Sequence, residues 1–246
     1  MLGGLQFSCP VQRIKTKLIN ERYMKKPKRI LSLFLIVAST SFANHNALDL
    51  YLRSHGFPMT SNGRDGNYTN EGYMTTKQQK QFTEHLKHHR ITSIAEIGLN
   101  GGHSAFHFIQ QCKNLKKFVS FDLGIYPETQ CAVQFFQDNY GQMFEFFGGP
   151  SQRSVPEYHD SNPSQTFDLI YIDGSHEYEE CYLDIINCKQ LAHKNTIVWF
   201  DDCTFEGPTR AIKELVEAKF IVLDGGFLSD GKCGGRSWLQ FRYINN

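Results

Sequence analysis

The sequence predicts an α/β fold on a largely parallel sheet, closed by one antiparallel strand. Three observations carry this. From residue 91 onward, short apolar runs alternate with amphipathic stretches of about ten to fifteen residues, the pattern of βαβ units. The runs end in glycine or aspartate, so polar and turn-forming residues collect on one edge of the sheet, the edge where open parallel sheets bind ligands. The last two runs, "FIVLDGG" and "SWLQFRYI", are joined only by a Gly-rich loop, which reads as an antiparallel pair on the end of the sheet. No internal repeat or low-complexity segment breaks the pattern.

Taken in order, residues 44–90 read as helix, loop and helix, forming an N-terminal unit and lid ahead of the main domain, residues 91–246. The loop "TSNGRDGNYTNEGYM" is rich in Gly and Asn, and "TTKQQKQFTEHLKHH" is a helix opened by a threonine. Then follow strand "ITSIAEIG", helix "SAFHFIQQCK", strand "KKFVSFDLG", helix "ETQCAVQFFQDNY" and strand "QMFEFFGG". A fourth strand, "FDLIYIDG", comes next with no helix assigned before it. It leads to the helix "YEECYLDIINCKQLAH", the strand "NTIVWFDD", the helix "TRAIKELVEAK" and the closing strand pair.

Charge is segregated. The formal net charge is +1, but residues 1–43 hold eight Lys and Arg and a single acid, Glu21, leaving 18 basic against 24 acidic residues beyond them. A main domain with that excess of acid is a poor binder of nucleic acid, so no nucleic-acid partner is expected. The basic head has its own explanation. "MKKPKRILSLFLIVASTSFANHN" starts at Met24 with a cationic segment, continues with an apolar run too short to span a bilayer, and reaches Ser41-Phe42-Ala43, small residues at positions −3 and −1 of a cleavage site. This predicts a signal peptide cleaved after Ala43, a start at Met24, a secreted or periplasmic protein, and no membrane span after cleavage. An uncleaved segment would instead leave it anchored or cytoplasmic. Without Cys9, six cysteines remain, an even number compatible with disulfides; Cys181 and Cys188, two turns apart on one helix, are too distant to pair with each other.

The chemistry sits at strand ends. The first strand ends in Glu96-Ile97-Gly98 and runs into Leu99-Asn100-Gly101-Gly102-His103-Ser104. Glycines there permit a tight turn and close approach of a ligand to backbone, and the following helix offers free N–H groups. The second strand ends in Asp122, 24 residues after Gly98, placed to accept hydrogen bonds from a ribose diol. The fourth ends in Asp173 and the fifth in Asp201-Asp202. The Gly98-x-x-Gly101-Gly102 spacing departs from the Gly-x-Gly-x-x-Gly of NAD and FAD sites, which makes a dinucleotide enzyme the weaker reading.

"EIGLNGGHSA" resembles the first motif of class I S-adenosylmethionine-dependent methyltransferases in its small-molecule O-methyltransferase form, and "IDGSHEYEECYLDI" is similar to the Ile-Asp-Gly-x-His-x-Tyr-Glu segment of a bacterial methyltransferase group. The resemblance covers about residues 70–245. It implies a Rossmann-like seven-stranded sheet of order 3-2-1-4-5-7-6, with strand seven antiparallel and helices on both faces. The cofactor implied is S-adenosylmethionine, with Glu96, Gly98, Gly102 and Ser104 in its loop, Asp122 on the ribose, and Leu123, Gly149 and Ser151 around the adenine, Asp173 also contributing. Similarity to catechol-type enzymes further implies Mg²⁺ on Asp173, Asp201 and Asp202, Asp202 replacing the usual Asn, where it would acidify an acceptor hydroxyl. His176 stands where that group carries a lysine base, and an imidazole exchanges its proton readily near neutral pH; His176 and Asp173 are the expected catalytic pair. A small molecule is the expected acceptor. The competing reading is a secreted, non-catalytic binding domain on the same scaffold.

Overall fold

The computed structural model describes residues 47–57, 74, 76–227 and 237–244; the signal-peptide expectation for residues 1–43 lies outside them. Two helices, α1 (Ala47–Ser54) and α2 (Thr76–Leu86), precede the alternating region. There β1 (Ser93–Ile97), α3 (His103–Gln111), β2 (Lys117–Asp122), α4 (Pro127–Tyr140), β3 (Phe144–Gly148), α5 (Ser151–Ser161), β4 (Phe167–Ile172), α6 (Tyr178–Cys188), β5 (Ala192–Phe200), α7 (Glu206–Glu217), β6 (Ile221–Phe227) and β7 (Trp238–Tyr243) follow in order. The sheet order is β3-β2-β1-β4-β5-β7-β6. The first five strands are parallel, and β7 is antiparallel to both β5 and β6.

Side chains alternate across the sheet as strand geometry requires. Ile94, Phe118, Leu169, Tyr171, Ile197 and Trp199 point into one core under α1 to α4. Their neighbours Ala95, Val119, Ile170, Val198 and Phe200 enter the other, under α5 to α7. Helix α2 is tied to the first face by Phe82, which stacks on Trp199 with ring centroids 4.6 Å apart. Among the described residues no helix is long and apolar enough to cross a membrane. The five described cysteines, Cys112, Cys131, Cys181, Cys188 and Cys203, are all free thiols.

Two elements differ from the sequence expectation. Helix α5 was not expected, because Pro156 sits inside it and Ser, Gln and Arg fill its first turn. An interior proline costs a helix about 3 kcal/mol; here the burial of Val155 and Tyr158 against the sheet offsets that loss. Helix α6 ends at Cys188 instead of continuing to His193. A 3₁₀ turn covers Lys189–Leu191, and Ala192 then pairs with Phe167 as the start of β5.

Candidate active site at the carboxyl edge of the sheet

The parallel ladder extends one residue past the strands. The Gly98 amide donates to Phe121 O at 2.8 Å, Asp173 N to Ile97 O at 2.9 Å, and Asp201 N to Ile172 O at 2.9 Å. Gly98, Asp173 and Asp201 are thereby set side by side. Gly98 has φ +92°, and a Cβ there would collide with the Asp173 carbonyl, its carbon at 2.7 Å. Gly102, at φ +79°, would bring a Cβ within 2.5 Å of Phe136 on α4. Both glycines are therefore required by backbone conformation and by close approach together.

Asp122 organises the loop between them. Its Oδ2 accepts from the amides of Leu99 (2.9 Å) and Asn100 (3.0 Å), and its Oδ1 from Gly124 N (2.7 Å). Its own carbonyl accepts from Gly149 N at 2.9 Å, which pins the turn after β3 beside it. A carboxylate offers about four lone-pair sites, so Oδ1 keeps capacity for a ribose hydroxyl. Gly98, Asp122, Leu123, Gly149, Ser151 and Asp173 all line one cleft of about 420 Å³. Glu96, Gly102, Ser104, His176, Asp201 and Asp202 are not among the residues that line it.

On the β4–β5 side, Asp201 is buried at 2% exposure. Its Oδ2 accepts from the Tyr171 hydroxyl (2.5 Å) and from Gln78 Nε2 of α2 (2.5 Å), and its Oδ1 from the Asp202 amide (2.8 Å). Tyr171 also reaches Asp173 Oδ2 at 3.2 Å. Burial and the two neighbouring carboxylates push the Tyr171 phenol well above its ordinary value, so it stays a donor. Asp202 adopts φ +50° and holds His176 Nε2 at 3.2 Å, while the His176 ring stacks on Phe205 at 4.2 Å and 10°.

Residues 95–203, the span from the glycine loop to the acids after β5, match the family model described as "Methyltransferase domain". Over that span the chain is similar to methyltransferases. It is 25% identical over 172 residues to "Probable caffeoyl-CoA O-methyltransferase 3" of Dictyostelium discoideum, covering 67% of this chain and 68% of that protein. Two solved structures share the fold. One is the O-methyltransferase from Bacillus cereus in complex with SAH (16% identity, TM-score 0.59, 80% of this chain and 97% of that one). The other is the O-methyltransferase TomG from Streptomyces achromogenes in complex with SAM (14% identity, TM-score 0.59, 80% and 87%).

The three acids expected to hold Mg²⁺ are engaged with protein partners. Among the described residues no group of three or more His, Cys, Asp or Glu side chains is arranged to hold a metal. The physical reason is that Tyr171 and Gln78 already take the Asp201 carboxylate, and Asp202 is turned to His176. Sequence spacing aligned the three acids but could not show their partners, since Gln78 lies 123 residues away in the chain.

Glu96 also differs in role from a pocket-lining acid. Fully buried, it accepts from Ser104 Oγ (2.5 Å) and Ser120 Oγ (2.8 Å), tying α3 to β1 and β2. Burial pushes its carboxyl up to about 8, against the two serine hydrogen bonds and with a small addition from Asp122. The folded protein thus holds this proton more tightly than the unfolded chain, so stability is fully present below the ordinary carboxylate range and falls as pH rises towards about 8. Thermal melting between about pH 5 and pH 8 should show that loss, and Glu96→Gln should flatten it; an unchanged slope in the variant would assign the pH dependence elsewhere.

One group of polar residues escaped sequence reasoning. Gln152 lines the cleft beside Ser151, and behind both stands Asp184 of α6, 2% exposed. Its signal was present: Cys181, Asp184, Ile185 and Cys188 form the buried stripe of an amphipathic helix, and an acid in such a stripe needs a reason.

Proposed function

We propose that the protein methylates a hydroxyl of a small molecule, with S-adenosylmethionine in the cleft between Gly98 and Ser151 and His176 as the proton acceptor. The observation that carries the reading is the layout of that cleft. The close-packed Gly98 turn stands at one end, the loop-pinning Asp122 carboxylate in the middle, and the Gly149–Ser151 turn at the other. Bound S-adenosylmethionine supplies a methyl carbon that bonds the acceptor oxygen as its bond to sulfur breaks, sulfur keeping the electron pair. The protein's work is orientation and exclusion of water. Asp122 holds the ribose through Oδ1, and the Gly98 backbone lets the amino-acid portion lie against the loop. Asp173, at the switch point between β1 and β4, orients the reactants.

His176 follows Ser175 of the cleft wall, and its side chain is 44% exposed. With Nε2 turned to Asp202, Nδ1 is the nitrogen that takes the hydroxyl proton. Asp202 and the Phe205 ring fix the plane of the imidazole, as a third group does for a base in hydrolytic triads. No step runs through a metal, a reading supported by the occupied Asp201 carboxylate. The test is to incubate the full chain with S-adenosylmethionine and a panel of phenols, catechols and sugar hydroxyls, following methylated product by mass spectrometry with and without EDTA. Product that forms equally in EDTA is expected. Product that vanishes with EDTA and returns with Mg²⁺ would overturn the metal-free part, and no product from any acceptor would count against O-methylation.

A further inference from the structure

We propose that Asp184 is a positioning residue that gives the nucleoside end of the cleft its preference for a 6-amino over a 6-oxo purine; this rests on the cofactor reading above. The cleft has a direction. Asp122 is bonded on one side to the Leu99 and Asn100 amides and on the other, through its carbonyl, to Gly149 N. A ribose seated on Asp122 with its amino-acid arm towards Gly98 and Asp173 therefore carries its base onto Gly149–Gln152. At that end Ser151 Oγ donates to Asp184 Oδ1 at 2.6 Å, and Gln152 Nε2 approaches the same oxygen at 3.4 Å.

A serine hydroxyl has one hydrogen and two lone pairs. With the hydrogen committed to a buried carboxylate, Ser151 can only accept from a ligand, and the Gln152 amide, its nitrogen drawn to Asp184, offers its oxygen. An exocyclic amine satisfies two such acceptors. A 6-oxo group would face them oxygen to oxygen, and a buried polar group left unpaired is a strong basis for discrimination. Ser151 and Gln152 touch the cleft directly, whereas Asp184 acts through them. Gly174, another cleft residue, packs over the same carboxylate; a Cβ there would lie 3.3 Å from Asp184 Oδ2. Burial pushes the Asp184 carboxyl up to about 7, with Glu180 adding to the rise and the Ser151 hydrogen bond opposing it, so the carboxylate form dominates in mildly alkaline solution.

The experiment is calorimetric titration of the full chain at about pH 8.5, where that form dominates, with S-adenosylhomocysteine and with its 6-oxo counterpart, S-inosylhomocysteine. Wild type should prefer the adenosyl compound by about tenfold or more. Asp184→Leu frees the Ser151 hydrogen and should bring the two affinities within about threefold. Its melting temperature, measured beside wild type, shows whether the variant stays folded. Ser151→Ala, which carries the test even if the leucine variant does not fold, should erode the preference equally, and the double variant should lose nothing further. A general loosening of the fold would weaken both ligands together and leave their ratio unchanged. A preference that persists in Asp184→Leu or in Ser151→Ala overturns the proposal alone. If wild type binds neither compound, the proposal falls together with the cofactor reading.

Discussion

Gly98→Ala is expected to weaken binding of S-adenosylmethionine by at least about 100-fold, because the added methyl group would displace the wall of the cleft. A left-handed backbone costs an L-residue about 1–2 kcal/mol, and Gly98 sits at φ +92°. The added methyl group would also collide with backbone, the Asp173 carbonyl and Gly174 Cα at 3.2 Å, which cannot rotate away as a side chain could. Relief requires β1 and the loop after β4 to separate, which opens the cleft between Gly98 and Asp173. At about 1.4 kcal/mol per tenfold in affinity, a distortion of the cleft costing about 3 kcal/mol in the bound state reaches that size, while the backbone penalty lowers stability. Gly56→Ala is the matched control. Gly56 has φ +89° with open space around its missing Cβ, so it pays the backbone penalty and should leave cofactor affinity unchanged. Calorimetry on both variants separates strain from collision; near wild-type affinity in Gly98→Ala would remove the glycine loop from the cofactor site.

His176→Ala is expected to lower kcat by about 10²- to 10⁴-fold, the usual loss when a positioned base is removed, while affinity for S-adenosylhomocysteine stays at the wild-type level. The split follows from the geometry. His176 is not among the residues that line the cleft, and is stacked on Phe205 and bonded to Asp202. Its removal takes away a proton acceptor without touching Asp122 or the glycine loop. A fall in kcat below about threefold would place the base elsewhere, and an equal loss of cofactor affinity would make His176 a binding residue instead.

The parallel sheet was legible because each βαβ unit carries its own signal: an apolar run, a Gly or Asp at its end, and an amphipathic stretch. The antiparallel β6–β7 pair was legible because nothing between those runs could be a helix. What sequence could not give was any feature whose cause is tertiary. Helix α5 contains Pro156 and survives through the burial of Val155 and Tyr158. Helix α6 yields to β5 at Ala192 because the edge of β4 claims that residue.

The same division holds in the site. Gly98, Asp122, Leu123, Gly149, Ser151 and Asp173 are close to strand ends, and strand ends meet on one edge of any parallel sheet, so their gathering in one cleft follows from local pattern. The metal expectation rested on the same logic. What it left out is that the state of a carboxylate depends on what else reaches it, here a phenol from the penultimate residue of β4 and an amide from α2. Asp184 was overlooked for the opposite reason: it lies mid-helix, away from every strand end.

The central claim is that the cleft from Gly98 to Ser151 binds S-adenosylmethionine through Asp122. Calorimetric titration of the full chain with S-adenosylmethionine, beside an Asp122→Ala variant whose circular dichroism matches wild type, tests it most directly. The account predicts micromolar binding by wild type and none by the variant. Binding that survives in Asp122→Ala, or no binding by wild type, would contradict it.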